Sequence, residues 1–245
     1  MPREVTRSSP ICHRRIYLRG LACLHVLLDL LFPRRCVVCA GPGATLCRAC
    51  MRLLPRIAVP VCGRCGAPVA WPVARCRECA GRRIAFASAR AAVEYDAHVR
   101  ALVSAWKERG LRDLASCAAG IVAEVVTVPA GAHLITFVPP DGDRSRRRGH
   151  HPPARLAREL GRRWELPVRP MLERTRPLRS QRGLGRRERQ RNVRGAFRAR
   201  PARGKVLLVD DVYTTGATVS AAATALRVAG ASSVEVVTFA RAVRS

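Results

Sequence analysis

The sequence predicts an α/β fold: a parallel, twisted sheet with helices on both faces, preceded by a small cysteine-rich domain that folds on metal. Three observations carry this. From residue 84 onward, strand-like apolar runs alternate with helical patterns, which calls for crossover connections and a sheet covered on both sides. One run, Val206–Val209, is apolar throughout, as a strand buried on both faces must be. Eight of the 11 cysteines fall into Cys-x-x-Cys pairs within residues 36–79, a stretch too poor in large apolar side chains to build a core unaided.

In chain order, residues 1–19 read as a disordered extension and residues 20–32 as an amphipathic helix. Leu24, Leu27, Leu28 and Leu31 form one stripe on that helix. Arginines precede the apolar stretch, as in a signal peptide, but His25 and Asp29 interrupt it and no small-residue cleavage site follows. The stretch is also too short to span a bilayer. No membrane span is expected, and cysteines paired in this way point to a reducing, cytoplasmic compartment.

Residues 33–82 hold the four pairs: Cys36/Cys39, Cys47/Cys50, Cys62/Cys65 and Cys76/Cys79. Zn²⁺ takes four tetrahedral ligands and favours thiolates, and each knuckle presents two sulfurs from one tight turn. Pairing neighbours in sequence gives Cys36, Cys39, Cys47 and Cys50 for one ion, and Cys62, Cys65, Cys76 and Cys79 for another. Interleaved pairing satisfies the same spacing, so one or two structural zinc ions are expected. Disulfides or a redox dithiol are the competing uses of such pairs.

Residues 84–245 carry the sheet. Phe86–Tyr95 reads as a strand. His98–Arg109 and Leu111–Val126 read as helices parted by Gly110. Leu134–Val138 is a buried strand ending in two prolines, and Ala154–Trp164 has helical spacing. Thr218–Ala229 is a helix stopped by Gly230, and Ser233–Phe239 is the last strand. Residues 170–204 fit neither period and read as a long loop or hood. His150 and His151, set among arginines, read as part of a solvated loop, and Trp106 as a core residue.

The chain carries 45 basic and 17 acidic residues, a net charge of +28. Only Lys107 and Lys205 are lysines, a bias that weakens total charge as an argument. Its distribution says more: residues 141–205 hold 22 basic against 6 acidic residues, 22 − 6 = +16. A polyanionic ligand belongs near that segment. Aromatic residues are 4% of the chain, which argues against base stacking as the main contact.

The most informative stretch runs Val209-Asp210-Asp211-Val212-Tyr213-Thr214-Thr215-Gly216-Ala217-Thr218. A buried strand delivers two carboxylates at its C-terminal end, where ligands of open α/β sheets bind. A Thr and Gly turn and a helix start follow, and the unpaired amides of a helix start suit a phosphate. Two carboxylates would repel a phosphate, so their work is to accept from sugar hydroxyls or to hold Mg²⁺. Together these read as recognition of a ribose 5-phosphate. A Walker A loop is excluded, since no Gly-Lys-Ser/Thr ends the turn.

That stretch resembles the phosphoribosyl-pyrophosphate (PRPP) motif of type I phosphoribosyltransferases. From about Leu27 to Arg241 the chain resembles the ComF family, in which a cysteine ribbon precedes such a domain. The resemblance also rests on Leu30-Leu31-Phe32-Pro33, Ala105-Trp106-Lys107, Arg148-Gly149, Gln181, Leu184, Glu188-Arg189, Asn192 and Gly195-Ala196-Phe197. It implies a double zinc ribbon at 33–82 and a phosphoribosyltransferase-like sheet at 84–245. It implies that Asp210 and Asp211 bind ribose hydroxyls, and that Thr214, Thr215, Gly216, Ala217 and Thr218 wrap the 5-phosphate. Lys107, after the first helix, and Arg148 join the two aspartates as catalytic candidates, while Arg144, Arg148, Arg174 and Arg176 are cationic candidates for pyrophosphate.

The chain departs from the family at His150-His151-Pro152, where an aromatic residue, Asn and Gln are usual, and at Leu178, where Thr is common. Two functions follow as expectations. One is phosphoribosyl transfer from Mg²⁺·PRPP to an unidentified acceptor. The other is non-catalytic binding of single-stranded DNA during its uptake, the process with which the family is associated.

Overall fold

The computed structural model describes residues 34–111, 113–140, 150–177 and 185–243. The extension and helix expected at 1–32, with Arg144 and Arg148, lie outside these residues.

Four strands form a parallel sheet in the order β1-β6-β5-β2: β1 (Ser88–Glu94), β2 (Ala132–Phe137), β5 (Lys205–Tyr213) and β6 (Ser233–Arg241). A parallel bridge from Ile135 to Val168 continues the sheet past β2. The helices are α1 (Arg48–Leu53), α2 (Ala97–Glu108), α3 (Leu114–Val125), α4 (Pro152–Trp164), α5 (Arg186–Val193) and α6 (Ala217–Val228).

The pleat of β5 splits the core in two. Leu207 and Val209 face the side covered by α2, α3 and α4, where they join Ile135, Phe239 and Trp106. Val206 and Leu208 face the side covered by α6, with Ala222, Ala223 and Leu226. The continuous apolar run is therefore a strand buried on both faces, as the sequence predicts. Trp106 has no exposed surface and meets Phe239 edge to face, with ring centroids 6.4 Å apart. Local chemistry starts the helices. The Asp96 carboxylate accepts from the Val99 amide at 2.8 Å, and Pro152-Pro153 open α4.

Each ribbon contributes to a different core. Cys36, Leu46, Cys50 and Leu54 of the first pack into the α2/α3 side. Cys62, Cys65, Ala67 and Cys79 of the second pack into the α6 side. The chain between them runs along the free edge of β1. The Ile57 amide donates to Ala92, Glu94 to Pro55 and Ala89 to Arg64, each at 2.9 Å. Gly66 is required in this approach: its φ is +69°, and a Cβ there would meet the Ala89 carbonyl oxygen at 2.3 Å. The sheet edge is thereby covered and cannot pair with another chain.

Two expectations change. Within 170–204, the described residues form an antiparallel pair, β3 (Leu172–Arg174) with β4 (Phe197–Ala199), and the helix α5. Three-residue strands carry no readable period, and α5 is too polar to show an apolar stripe. His150 is buried rather than solvated, with its Nε2 2.6 Å from the Trp106 carbonyl oxygen. His151 is half-buried against the Phe137 ring.

Trp106→Ala leaves a large cavity beside Phe239 and is expected to cost about 3–5 kcal/mol. Chemical denaturation checks this, with Trp106→Phe expected to retain most of the stability.

Candidate functional site

β5 is apolar up to Val209 and then places Asp210 and Asp211 at its C-terminal end, 9% and 8% exposed. Carboxylates so deeply placed need compensation. The Asp211 carboxylate takes the Lys107 ammonium, with Nζ 2.9 Å from both oxygens. Lys107 sits in the last turn of α2 rather than in the loop after it. Burial alone would lower the Lys107 ammonium, but the Asp211 carboxylate outweighs it and holds Lys107 above its ordinary range. Asp210 accepts from the Asp211 amide at 2.9 Å. Burial first, and the neighbouring Asp211 charge second, push its carboxyl up to about 7. Near neutrality the pair therefore holds a proton as well as a lysine.

The turn after β5 is shaped by Gly216. Its φ is +71°, and a Cβ there would meet the Tyr213 hydroxyl oxygen at 2.3 Å. The turn leads straight into α6, whose first amides have no partner within the helix. Thr215 is buried and its Oγ1 accepts from the Ala217 amide at 3.4 Å. Arg189 of α5 donates to the Thr214 hydroxyl at 3.2 Å, bringing the hood onto the turn.

The other residues singled out in the sequence are placed unevenly. Ala217 and Thr218 open α6 beside the turn. Arg174 lies on β3 with its Nε donating to the carbonyls of Pro139 and Pro140, at 3.2 and 2.9 Å, and its guanidinium over the Phe197 ring. Its positive charge lowers the Asp210 carboxyl. Arg176 is directed elsewhere, donating to the carbonyls of Asn192 and Arg194 and tying β3 to the end of α5. Arg189 and His151 were not singled out for this site, although both face it. Burial lowers the His151 imidazole to about 4, so it is neutral at pH 7. The resemblance names Arg189 without a role, and its contact with the Thr214 turn appears only in the fold.

The sulfurs resolve into two clusters, Cys36, Cys39, Cys47 and Cys50, and Cys62, Cys65, Cys76 and Cys79, with all ligand atoms of each within 4.8 Å of one another. None of the eight is in a disulfide. Backbone amides support them: Cys47 donates to the Cys36 sulfur at 3.5 Å and Cys76 to the Cys62 sulfur at 3.2 Å. Burial opposes ionisation of Cys36 and Cys62, but these amides outweigh it and bring both thiols to about 6. In each cluster another thiol is raised by burial and by its neighbours, Cys50 to about 12. Four thiolates cannot coexist at this spacing without a cation, and the all-sulfur set fits Zn²⁺.

On the outer side of α6 lies a cleft of about 830 Å³. Arg82, Arg83, Arg191, Arg194 and Arg198 line it over an apolar floor that includes Phe197, and among the described residues no acidic side chain lines it.

Two four-cysteine ribbons, docked on an α/β domain whose central strand ends in paired carboxylates and a Gly turn into a helix, define the class: a double zinc ribbon joined to a parallel α/β domain. The family model of the double zinc ribbon domain matches residues 27–80. The chain is 30% identical over 223 residues to DNA utilization protein YhgH of Salmonella typhimurium, covering 84% of this chain and 96% of that protein. It is 25% identical over 227 residues to Competence protein F of Haemophilus influenzae, covering 86% and 98%. The chain belongs to the ComF family. A solved structure of glutamine PRPP amidotransferase from B. subtilis, complexed with ADP and GMP, aligns at 22% identity with a TM-score of 0.35. That alignment covers 51% of this chain and 25% of the other. Among the described residues no helix is long and apolar enough to cross a membrane.

Because Asp210 binds its proton more tightly folded than unfolded, folding takes up a proton between about pH 4 and 7. Stability from this group is present at low pH and is lost as pH rises through that window. Asp210→Asn is therefore expected to stabilise the chain at pH 8 by on the order of a few kcal/mol. Thermal melts across pH 4–8 test this: a wild-type profile that the substitution fails to flatten would contradict it. Metal analysis of the purified chain is expected to find two zinc ions, and Cys76→Ser to reduce that number to one.

Proposed function

We propose that this protein binds Mg²⁺·PRPP at the end of β5 and transfers its phosphoribosyl group to an acceptor, releasing pyrophosphate. The observation that carries the reading is the pair Asp210-Asp211 on the central strand, followed within one turn by the Gly216-capped start of α6. Few other ligands need two hydroxyl-accepting carboxylates and a phosphate-binding helix start at that separation.

In this reading Asp210 and Asp211 accept hydrogen bonds from the ribose hydroxyls. The amides and hydroxyls of Thr214–Thr218 hold the 5-phosphate, which fixes the ribose before the reaction begins. Lys107 and Arg174 supply positive charge beside the aspartates, where the departing pyrophosphate gathers negative charge. Arg144 and Arg148 are further candidates for the same task. The donors at the strand end are oxygens, as Mg²⁺ requires, and two carboxylates with retained waters suit it better than a full protein cage. When bound, Mg²⁺ neutralises pyrophosphate charge and makes it a better leaving group. The near-neutral proton on Asp210 must leave or be shared when a ligand with its cation arrives.

A second reading has a specific observation behind it. The arginine-lined cleft beside α6 has the charge to attract a phosphodiester backbone, and relatives are named for DNA utilization and competence. Here single-stranded DNA is the partner and turnover is not required. A steep fall in oligonucleotide affinity with salt, absent in a variant with Arg191, Arg194 and Arg198 changed to Glu, would support it.

Calorimetric titration of PRPP with Mg²⁺ tests the first reading. Wild type is expected to bind, and Asp210→Asn/Asp211→Asn to lose binding while remaining folded. Failure of the folded, zinc-loaded wild type to bind would overturn the ligand assignment.

A further inference from the structure

The second ribbon reaches the phosphate turn through two arginines. Arg241 ends β6 and its side chain is 1% exposed. Its Nη1 donates to the Cys65 carbonyl at 2.6 Å and its Nη2 to the Glu78 carboxylate at 2.8 Å, with the Cys65 sulfur 3.7 Å away. The same guanidinium lies 4.5 Å from the centre of the Tyr213 ring. Phe86 meets the other part of that ring edge to face at 6.3 Å. The Tyr213 carbonyl accepts from the Ala242 amide at 2.8 Å. Tyr213 is thus held on several sides, and Gly216 folds against its hydroxyl end.

Arg82 follows the last cysteine by three residues. Its Nη2 donates to the Thr215 carbonyl at 2.5 Å and its Nη1 to the Glu78 carbonyl at 3.3 Å. Glu78 lies inside the Cys76-x-x-Cys79 knuckle. One residue of the knuckle therefore binds Arg241 with its side chain and Arg82 with its backbone. The shape of that knuckle aims both arginines at the turn. The first ribbon packs instead into the core on the opposite face of the sheet.

We propose that the second ribbon is part of the phosphate site, with Arg82 and Arg241 as positioning residues that hold the Tyr213–Gly216 turn in its ligand-binding shape only while the Cys62–Cys65–Cys76–Cys79 cluster is folded on zinc. The ligand side of this rests on the PRPP reading; the coupling of ribbon to turn does not. Arg82 holds the Thr215 peptide from its carbonyl side. Loss of that hydrogen bond frees the peptide to rotate without touching the sheet or the first ribbon.

The experiment uses the full zinc-loaded chain and two readouts: calorimetric titration of PRPP with Mg²⁺, and hydrogen exchange of the peptide spanning residues 213–218. Arg82→Met keeps the apolar stem and removes the donors. It is expected to retain both zinc ions and the wild-type melting temperature, to exchange faster at 213–218, and to bind PRPP about tenfold more weakly, the value of one charged hydrogen bond. Arg82→Lys restores part of both. Cys76→Ser is expected to reproduce the loss, and Cys39→Ser, in the first ribbon, to leave residues 213–218 as in wild type. Unchanged exchange in Arg82→Met overturns the proposal, as does equal disturbance of the turn by Cys39→Ser and Cys76→Ser. If wild type does not bind PRPP, the ligand assignment falls, and the exchange measurements still decide the coupling.

Discussion

Two adjacent carboxylates at the buried end of the central strand are the constraint around which this chain is arranged. Neither can be left charged in a dry sheet end without compensation. The chain meets the demand in three ways: a lysine from α2 on Asp211, an amide and a proton on Asp210, and the charge of Arg174 from the hood. Each source belongs to a different element. The carboxylates therefore require α2, the β3–β4 pair and β5 to meet at one point. An apolar pair there would fold with less opposition, and the electrostatic cost retained at this spot is what marks it as a site.

The ribbons solve a different problem, and the solution has a consequence for the site. A 50-residue segment with few large side chains gains little from burial, and thiolate coordination supplies what the core does not. Metal alone would leave such a segment free to swing. Here it runs along β1, closes the sheet edge with backbone hydrogen bonds and inserts one ribbon into each core. Opposite faces of the sheet thus feel different zinc clusters. Only the second lies on the face that carries α6 and the Tyr213–Gly216 turn.

How much of this was legible depended on the length of each pattern. The β5 run, the paired aspartates and the Gly turn are contiguous, so sequence alone placed them on one strand, turn and helix. The cysteine knuckles were legible for the same reason, although their pairing needed the fold to decide. Lys107 was reached through resemblance, not through any local pattern, because its partner Asp211 is 104 residues away. Arg82 and Arg241 were not legible, and Arg189 entered only through the family resemblance, with no role attached. In a chain with 45 basic residues no single arginine stands out, and their roles appear only when distant segments meet. The hood reads as a loop because its strands span three residues each and α5 lacks an apolar stripe. His150 misleads because a histidine among arginines looks solvated, whereas the Trp106 carbonyl draws it inside.

The arginine cleft and the Tyr213–Gly216 turn share α6, and this links the two functional readings physically. The start of α6 faces the strand end, while the outer surface of the same helix forms part of the cleft floor. Arg82 belongs to both, lining the cleft and bonding the Thr215 carbonyl. A polyanion drawn into the cleft would compete for that guanidinium and so reach the turn without touching it. Conversely, a ligand that orders the turn fixes Arg82 at the cleft's edge. Since any such coupling is reciprocal, a strand in the cleft that changes PRPP affinity must itself bind differently when PRPP is present. The two readings are therefore not exclusive: one helix would give a small phosphorylated ligand and a long phosphodiester a common element through which each could sense the other.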